Sequence, residues 1–475
     1  MSSDTGVILA TLVCYMLTLL AIGAWASSRS RDEDSYFIGN RRLGMWVAAL
    51  SYAASSSSAW AILGVTGIAY SQGLSAVWLL PGTLTGHVLV WFWLGQRLRN
   101  AAQDGRMVTL NDLIVRDLAP AARRPVLLLA AGIITFSFLF YIAAQFQGAA
   151  NTFAEVFDFE FTPALLVGAL VVLTYTLLGG FWAVSVTDTV QAGLMLLAAL
   201  LLPTLALVEI GGPSALVAGL EAVSRPDQLS LLGPHSGLLA VGFLLGMLSI
   251  GVGPLGQPHL LNRLMALSGP AALARARLVA LTWFVVVLGG MFLLGLCAHV
   301  LEFQAADPER VFFALVDGLL GPVLAGVVIA ALLSAIMSTA DSQLLVAASA
   351  VSHDLMGRTS VTVSRITVLV VGVLAVLVAM YLPEAIFSRV LFAWNALGAA
   401  FGPLVIARVL RFPVAGGGTA LAMAVGFGLT VLFYLLPDTV GDVAERSVPF
   451  LAAGSVCIVS GLRNRREVLG GRQAV

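Results

Sequence analysis

The sequence predicts an all-α, polytopic membrane protein, on three observations. Of its 475 residues, 59% are apolar and 11% are charged, where ordinary soluble proteins carry about 25% charged residues. Apolar segments follow one another along the chain, each near the roughly 20 residues that cross a bilayer as a helix. These segments lack the period-2 alternation of a membrane barrel. Arg and acids balance at 25 each, for a formal net charge of zero. That balance gives no case for nucleic-acid binding. Cys14, Cys297 and Cys457 sit in separate apolar segments, a pattern that suggests neither a disulfide framework nor a metal cluster.

Hydropathy divides the chain into thirteen expected spans: 5–26, 43–71, 76–98, 124–150, 163–179, 186–211, 236–262, 275–300, 311–352, 362–381, 386–409, 416–436 and 446–462. The first has an acid before it and Arg after it. It reads as a retained helix, since a basic leading region of the signal-peptide kind is missing. Arg then predicts the orientation. Arg29, Arg31, Arg41 and Arg42 follow the first span, and Arg97, Arg99, Arg106, Arg116, Arg123 and Arg124 the third. Arg263, Arg275 and Arg277 follow the seventh, Arg358 and Arg365 the ninth, Arg408 and Arg411 the eleventh. Alternate loops carry acids instead, among them Glu155, Glu302 and Asp438. The expectation is an outside N-terminus and a cytoplasmic C-terminus. The longest loops, near 100–123 and 212–235, are too short to fold alone.

Two spans read as interrupted. Residues 53–60 contain Ser55-Ser56-Ser57-Ser58, and four serines offer the backbone competing hydrogen bonds. Residues 251–259, Gly-Val-Gly-Pro-Leu-Gly-Gln-Pro-His, hold three Gly and two Pro, which disfavours a continuous helix. The two spans lie five apart. Matched breaks in two halves point to an inverted-repeat transporter with its sites at the midplane, whereas either break alone is also an ordinary kink.

The ninth span carries the most polar stretch, residues 334–343, Ser-Ala-Ile-Met-Ser-Thr-Ala-Asp-Ser-Gln. At helical spacing Ser334, Ser338, Asp341 and Ser342 share a face, with Thr339 beside them. A carboxylate near the bilayer centre costs about 2.5–3.5 kcal/mol or more. An ion or proton site is one reading of the stripe, and a hydrogen-bonded helix seam is the other.

Several blocks in one order carry a family resemblance. They are residues 36–44 (Tyr-Phe-Ile-Gly-Asn-Arg-Arg-Leu-Gly), Leu50-Ser51 with Trp60, and residues 179–191 (Gly-Gly-Phe-Trp-Ala-Val-Ser-Val-Thr-Asp-Thr-Val-Gln). They continue through Gly256-Gln257-Pro258-His259 with Arg263, Glu309-Arg310-Val311-Phe312, Met337-Ser338-Thr339, residues 342–346, and Ala393-Trp394 with 398–403. From the first span to about residue 403 the chain resembles the sodium/solute symporter family, nearest its bacterial sodium/proline branch. The resemblance implies a five-plus-five inverted repeat with two broken helices. On that scheme residues 1–42 hold a leading helix and a cytoplasmic loop. Residues 43–211 are the first repeat, 212–411 the second, and 412–475 two trailing helices and a basic tail.

The resemblance also implies a sodium site, formed by the carbonyls of Ala54, Ser57 and Ala335 and the hydroxyls of Ser338 and Thr339. Hard oxygen ligands suit a hard cation. Some relatives hold a second sodium, whose matching positions are Asp188, Ser338, Asp341 and Ser342. Asp341 replaces a Ser of the sialic-acid-transporting relative. Two carboxylates so placed repel unless a cation or a proton sits with them. For both acids a salt-bridge or capping role is the competing reading, and for Asp188 it is capping near the start of the sixth span, or gating.

The implied solute site draws on Ser56, Trp60, Tyr141, Gln145, Ile250, Pro254, Trp394 and Asn395. Ser56 stands where the proline branch has an Asp. Ile250 and Pro254 replace an aromatic pair. For Gln145 and Asn395, interhelical hydrogen bonding competes with a pocket role.

The sequence thus reads as a secondary transporter of the bacterial cytoplasmic membrane. Its expected partners are Na+ as coupling ion, a small polar solute (an amino acid or small carboxylate) and the lipid bilayer. No obligate protein partner is evident. Proton coupling through Asp188 and Asp341 is the alternative within transport. A membrane sensor is the alternative outside it, disfavoured because no kinase-like region occurs before Val475. An enzyme is not expected, since no nucleophile elbow, metal cluster or cofactor motif is found.

Overall fold

The computed structural model describes residues 3–27, 37–178, 180–303, 305, 307–356, 361–382 and 385–473. Arg29, Arg31 and Arg358 of the expected cytoplasmic rows, and Tyr36 and Gly179 of the family blocks, lie outside the described residues. Helix dominates the rest, beside one isolated bridge between Leu43 and Leu267.

The leading helix α1 spans Ser3–Ser27. The second span is made of α2 (Met45–Ala59), a π-helical turn (Trp60–Gly64) and α3 (Val65–Gln72). Gly73, at φ 66°, turns the chain back into α4 (Leu79–Val88), a second π turn (Leu89–Leu94) and α5 (Gly95–Asp104). Positive φ costs glycine little, so the turn falls there. Tyr52 meets both His87 and Trp91, so the second and third spans form an antiparallel pair.

A short helix α6 (Leu110–Val115) interrupts the first long loop, and a reciprocal cap joins Thr109 and Asp112 at its start. Then come α7 (Pro120–Phe157), α8 (Phe161–Leu178), α9 (Phe181–Ile210) and the loop helix α10 (Pro213–Val223). The seventh span is α11 (Gly237–Ser249), a 3-10 stretch (Ile250–Gly256) and α12 (Pro258–Met265). It is followed by α13 (Pro270–Val300), α14 (Val311–Leu319), α15 (Pro322–Ser349), α16 (Val361–Tyr381), α17 (Ile386–Val409), α18 (Gly416–Tyr434) and α19 (Val443–Gln473).

Among the described residues, eleven apolar helical runs are long enough to cross a membrane. One of them, of 60 residues, contains both the second and the third expected spans. The helix α8 supplies the remaining expected span, with its shorter apolar run Phe161–Thr174. The membrane-spanning, all-helical class therefore holds.

Both expected breaks are present. In the second span Ser58 adopts φ 47° and ψ −172°, a conformation that costs a non-glycine residue about 1–3 kcal/mol. In the seventh, Gln257 is extended at φ −82° and ψ 107° between the 3-10 stretch and α12.

The helices α15 and α17 form the centre, and 83% and 94% of their apolar windows are buried. Helices buried this fully are apolar or paired on every face. The acid Glu309 serves the start of α17. Its carboxylate accepts the Ile386 and Phe387 amides at 3.2 and 3.0 Å, where the helix dipole favours an anion. Burial nonetheless holds its carboxyl above the ordinary Glu value, against the pull of those two amides.

Three expected loop markers are buried rather than solvent-facing. Arg99 is 6% exposed and donates to the Leu267 and Ser268 carbonyls, and Arg263 and Arg408 are each only 1% exposed. Arg408 donates to the carbonyls of Ile114 and Val414 and to Thr419, so it pins the loops at its end of the bundle. Arg263 turns inward, to the Asp188 carboxylate.

Close approach of the seventh span to α17 depends on two glycines. A Cβ on Gly253 would overlap the Trp394 indole, and one on Gly256 would overlap the Leu397 carbonyl. Gly253→Ala is therefore expected to destabilise by about 1–3 kcal/mol through overpacking. Gly289→Ala on α13 meets open space and should leave the thermal midpoint in detergent unchanged. Equal midpoints for the two variants would contradict this packing.

Candidate functional site

The site forms where α2, α9, α12 and α15 meet. Each contributes a polar side chain that is close to fully buried: Ser51 and Ser55, Asp188, Arg263, and Ser338 to Gln343. The carboxylate of Asp188 is the focus. Its Oδ2 accepts from Ser51 Oγ at 2.6 Å, Ser55 Oγ at 3.1 Å and Arg263 Nη2 at 3.1 Å. Arg263 also donates through Nε to Ser51 Oγ at 3.0 Å, through Nη2 to Ser55 Oγ at 3.0 Å, and to Ser342 Oγ. Its remaining donor reaches the His259 carbonyl within its own helix. Ser342 Oγ lies 3.0 Å from Ser55 Oγ and donates to Asp341 Oδ1 at 3.3 Å. One polar chain thus runs from Asp188 through two serines to Asp341.

Two carboxylate oxygens in this cluster, Asp188 Oδ1 and Asp341 Oδ2, are buried without a hydrogen-bond partner among the described residues. A buried acceptor left unmatched is costly. Such oxygens are where a cation or a proton gains most.

Of the competing readings for Asp188, the salt bridge is present, to Arg263, and the capping one does not hold. The residue lies about two turns inside α9, which starts at Phe181, and its carboxylate faces α2 and α12.

The five residues expected at the first ion site lie on two elements that pack together. Ala54 and Ser57 lie in the last turn before the break at Ser58. Ala335, Ser338 and Thr339 lie on α15, and Thr339 Oγ1 donates to the Ser55 carbonyl at 3.1 Å. All five are buried. Ser57 and Ser338 hydroxyls donate to their own helices, to Ala53 and Ala335 carbonyls, which leaves their oxygen lone pairs as acceptors. Neutral oxygens in this number suit a monovalent hard cation. Ser334, on the same stripe, turns away to Tyr15 of α1 at 2.7 Å.

The residues expected around a solute surround the two breaks, and several are engaged. Gln145 Oε1 accepts the Ala59 amide at 3.0 Å, directly after the break. Its Nε2 is unpartnered among the described residues. Ser56 Oγ lies 3.4 Å from His87 Nε2, and Trp60 Nε1 donates to the Ser56 carbonyl at 3.4 Å. Trp394 Nε1 donates to the Ile250 carbonyl at 3.0 Å, which ties α17 to the 3-10 stretch that holds Ile250 and Pro254. Asn395 Nδ2 donates to Glu445 of the trailing helix α19 at 2.9 Å. Tyr141 is buried on α7.

Sequence reasoning missed three groups here. Arg263 read as an interfacial cation, although its place within a family block was a signal. His87 was assigned nothing, yet it stacks on Phe284 at 3.9 Å and lies 3.0 Å from the Tyr52 hydroxyl. Ser51 appeared only as part of a motif.

The sequence profile described as the sodium:solute symporter family matches residues 36–426. The sodium/proline symporter of Escherichia coli (strain K12) is 32% identical over 95% of this chain and 92% of its own length. The osmoregulated proline transporter of Bacillus subtilis (strain 168) is 32% identical over 90% of this chain and 88% of its own. Among solved structures, a Na+-coupled sialic acid symporter, substrate-bound and outward-open, superposes with a TM-score of 0.77. That match has 16% identity and covers 95% of this chain and 98% of the other. A nucleobase-cation-symport-1 family transporter, in a closed conformation, gives a TM-score of 0.58 at 12% identity, covering 91% and 95%. At these identities the structural likeness speaks for the fold.

Gln145 provides a check on the break. Gln145→Ala leaves the Ala59 amide buried and unpaired, at a cost of about 1–3 kcal/mol. Gln145→Glu keeps the acceptor when its buried carboxyl is protonated, since an ionised one would be an uncompensated charge. The expected order of thermal midpoints in detergent at acid pH is wild type, then Glu, with Ala lowest. An Ala variant as stable as wild type would show that the contact does not hold the break.

Proposed function

The chain belongs to the sodium:solute symporter family, and we propose that it imports a small amino acid or carboxylate by alternating access around the break in α2. Family membership makes it a sodium-coupled symporter of a small solute, in a multi-pass membrane fold like that of the bacterial proline symporters. The relatives are transporters rather than enzymes. The inner membrane is the compartment consistent with them.

The observation that carries the ion site is the break itself. Ser58 leaves the helical region next to Ser57, and the Thr339 hydroxyl reaches the Ser55 carbonyl on the same turn. In the proposed site the carbonyls of Ala54, Ser57 and Ala335 and the hydroxyls of Ser338 and Thr339 bind the co-transported sodium. The ion bridges a broken helix and a continuous one, so binding favours the conformation in which they meet. Inward movement of one positive charge releases about 2.3 kcal/mol per 100 mV, which drives the solute.

Asp188, Asp341 and Ser342 form the proposed second cation site. Its support is the pair of unpartnered carboxylate oxygens. The same Asp341 oxygen favours a second reading, in which it carries a coupled proton.

The relatives transport proline by their names. Here Ser56, Ile250 and Pro254 replace an acid and two aromatics of that branch, which removes a charge and a flat apolar wall. We therefore favour a small amino acid or hydroxy-carboxylate other than proline, held near Ser56, Trp60, Tyr141, Gln145 and Trp394. The proposed topology has its N-terminus outside and its C-terminus in the cytoplasm. The proposed repeats cover residues 43–211 and 212–411.

Two measurements test this. In proteoliposomes, Ser338→Ala with Thr339→Ala should raise the half-saturating sodium concentration for uptake about tenfold or more, equivalent to about 1.4 kcal/mol. An unchanged value places the ion elsewhere, and uptake driven by a pH gradient without sodium supports the proton. For the solute, a thermal-shift screen of amino acids and carboxylates with sodium is expected to yield a better ligand than proline. Proline uptake at low-micromolar affinity would overturn that preference.

A further inference from the structure

The buried cluster contains more than an ion site needs. Two carboxylates, Asp188 and Asp341, are fully buried. The guanidinium of Arg263, 1% exposed, is bonded to Asp188, Ser51, Ser55 and Ser342. With both acids ionised, the cluster carries two negative charges and one positive. It is one positive charge short of neutral. Buried charge must be compensated, by a partner or by a proton.

The hydrogen bonds show where the deficit lies. Three donors converge on Asp188 Oδ2, whereas Asp188 Oδ1 and Asp341 Oδ2 have none among the described residues. Arg263 contributes three contacts to serine hydroxyls as well as its ion pair, and it lies over the Phe181 ring at 5.4 Å. It is held in place as a fixed cation. A guanidinium keeps its charge under all physiological conditions, so it cannot be titrated out of the count.

We propose that Arg263 is the chain's own counter-cation at Asp188 and limits this cluster to one mobile monovalent cation, taken up at the two unpartnered carboxylate oxygens. Arg263 is thus a residue that sets ion stoichiometry. It touches the ligands of the cation rather than the solute. The inference rests on the reading that the Asp188–Asp341 cluster holds a coupling cation. A second consequence concerns movement. Arg263 sits on α12, an eight-residue helix that begins directly after the extended Gln257. The fixed charge therefore reaches the cluster from the far side of a break, and displacement of α12 would leave both acids to mobile ions.

Equilibrium binding of radioactive sodium to the purified, full-length protein in nanodiscs counts the ions directly. Wild type is expected to bind two per chain, one at the Ser338–Thr339 site and one here. Arg263→Gln should bind three, and Arg263→Lys two. Asp188→Asn frees the guanidinium to neutralise Asp341, so its count should fall to one. A wild-type count of one overturns the underlying reading of a second cation. A wild-type count of two that stays at two in Arg263→Gln overturns the role of Arg263 alone. Should Arg263→Gln fail to fold, Asp188→Asn decides: a count of two there means that Arg263 compensates nothing beyond its immediate partner.

Discussion

A charge cannot be left alone inside this bundle, and the Arg263–Asp188 pair is how the chain obeys that constraint. The pair joins α12 to α9, and its serine contacts bring in α2 and α15. Four elements meet at one guanidinium. Such a pair is weak evidence for stability, since apolar residues of similar volume do as well or better. Removing one partner is another matter, because the other is left buried and charged, at about 3–5 kcal/mol. The pair's value lies in register: α12 can sit in only one place while its arginine is bonded.

A second constraint acts on the backbone. In lipid an unpaired amide or carbonyl costs several kcal/mol, so helices break only where protein surrounds them. The break at Ser58 meets that condition. Gln145 of α7 takes the Ala59 amide, and Thr339 of α15 caps the Ser55 carbonyl. The break in the seventh span is protected differently. There Gly253 and Gly256 let α17 approach the backbone, Trp394 donates to the Ile250 carbonyl, and Gln257 donates to the Trp394 carbonyl at 3.1 Å. One break is satisfied by side chains from two helices, the other largely by a single helix pressed against it.

These differences explain what was legible in the sequence. Hydropathy gave the spans because apolar length is a local property. Serine runs and Gly-Pro clusters gave the breaks because they act on their own backbone. The polar stripe on α15 was visible through its spacing, and its partners on α2 through the resemblance. Arg263 was misread because an Arg just beyond an apolar segment has the pattern of an interfacial charge. Only the turn of α12 after Gln257 sends it inward, and that turn is tertiary. Asn395 read as a pocket residue or an interhelical bond, and its partner Glu445 stands 50 positions away on a trailing helix. Gln145 carried no sign that its acceptor serves a backbone amide. His87 was obscure for the same reason, since its partners Tyr52, Ser56 and Phe284 come from two other spans.

The helix α15 is the fixed reference for all of this. It is continuous from Pro322 to Ser349, and it carries the neutral hydroxyls of Ser338 and Thr339 one turn from Asp341 and Ser342. The two broken spans approach it from separate parts of the chain. The turn before Ser58 faces the hydroxyls, and Arg263 of α12 faces Ser342. In the proposed scheme, a cation among the neutral oxygens therefore reports the position of the first break, and a cation at the carboxylates reports that of the second. The rigid helix couples the two hinged spans through a shared reference, beside the direct bonds of Arg263 to Ser51 and Ser55 of α2: the first gains its ion on meeting α15, and α12 sets through Arg263 how many cations the carboxylates take. Differential ion affinity of this kind is what a population shift requires. It needs no flexibility in α15, whose near-complete burial would oppose any.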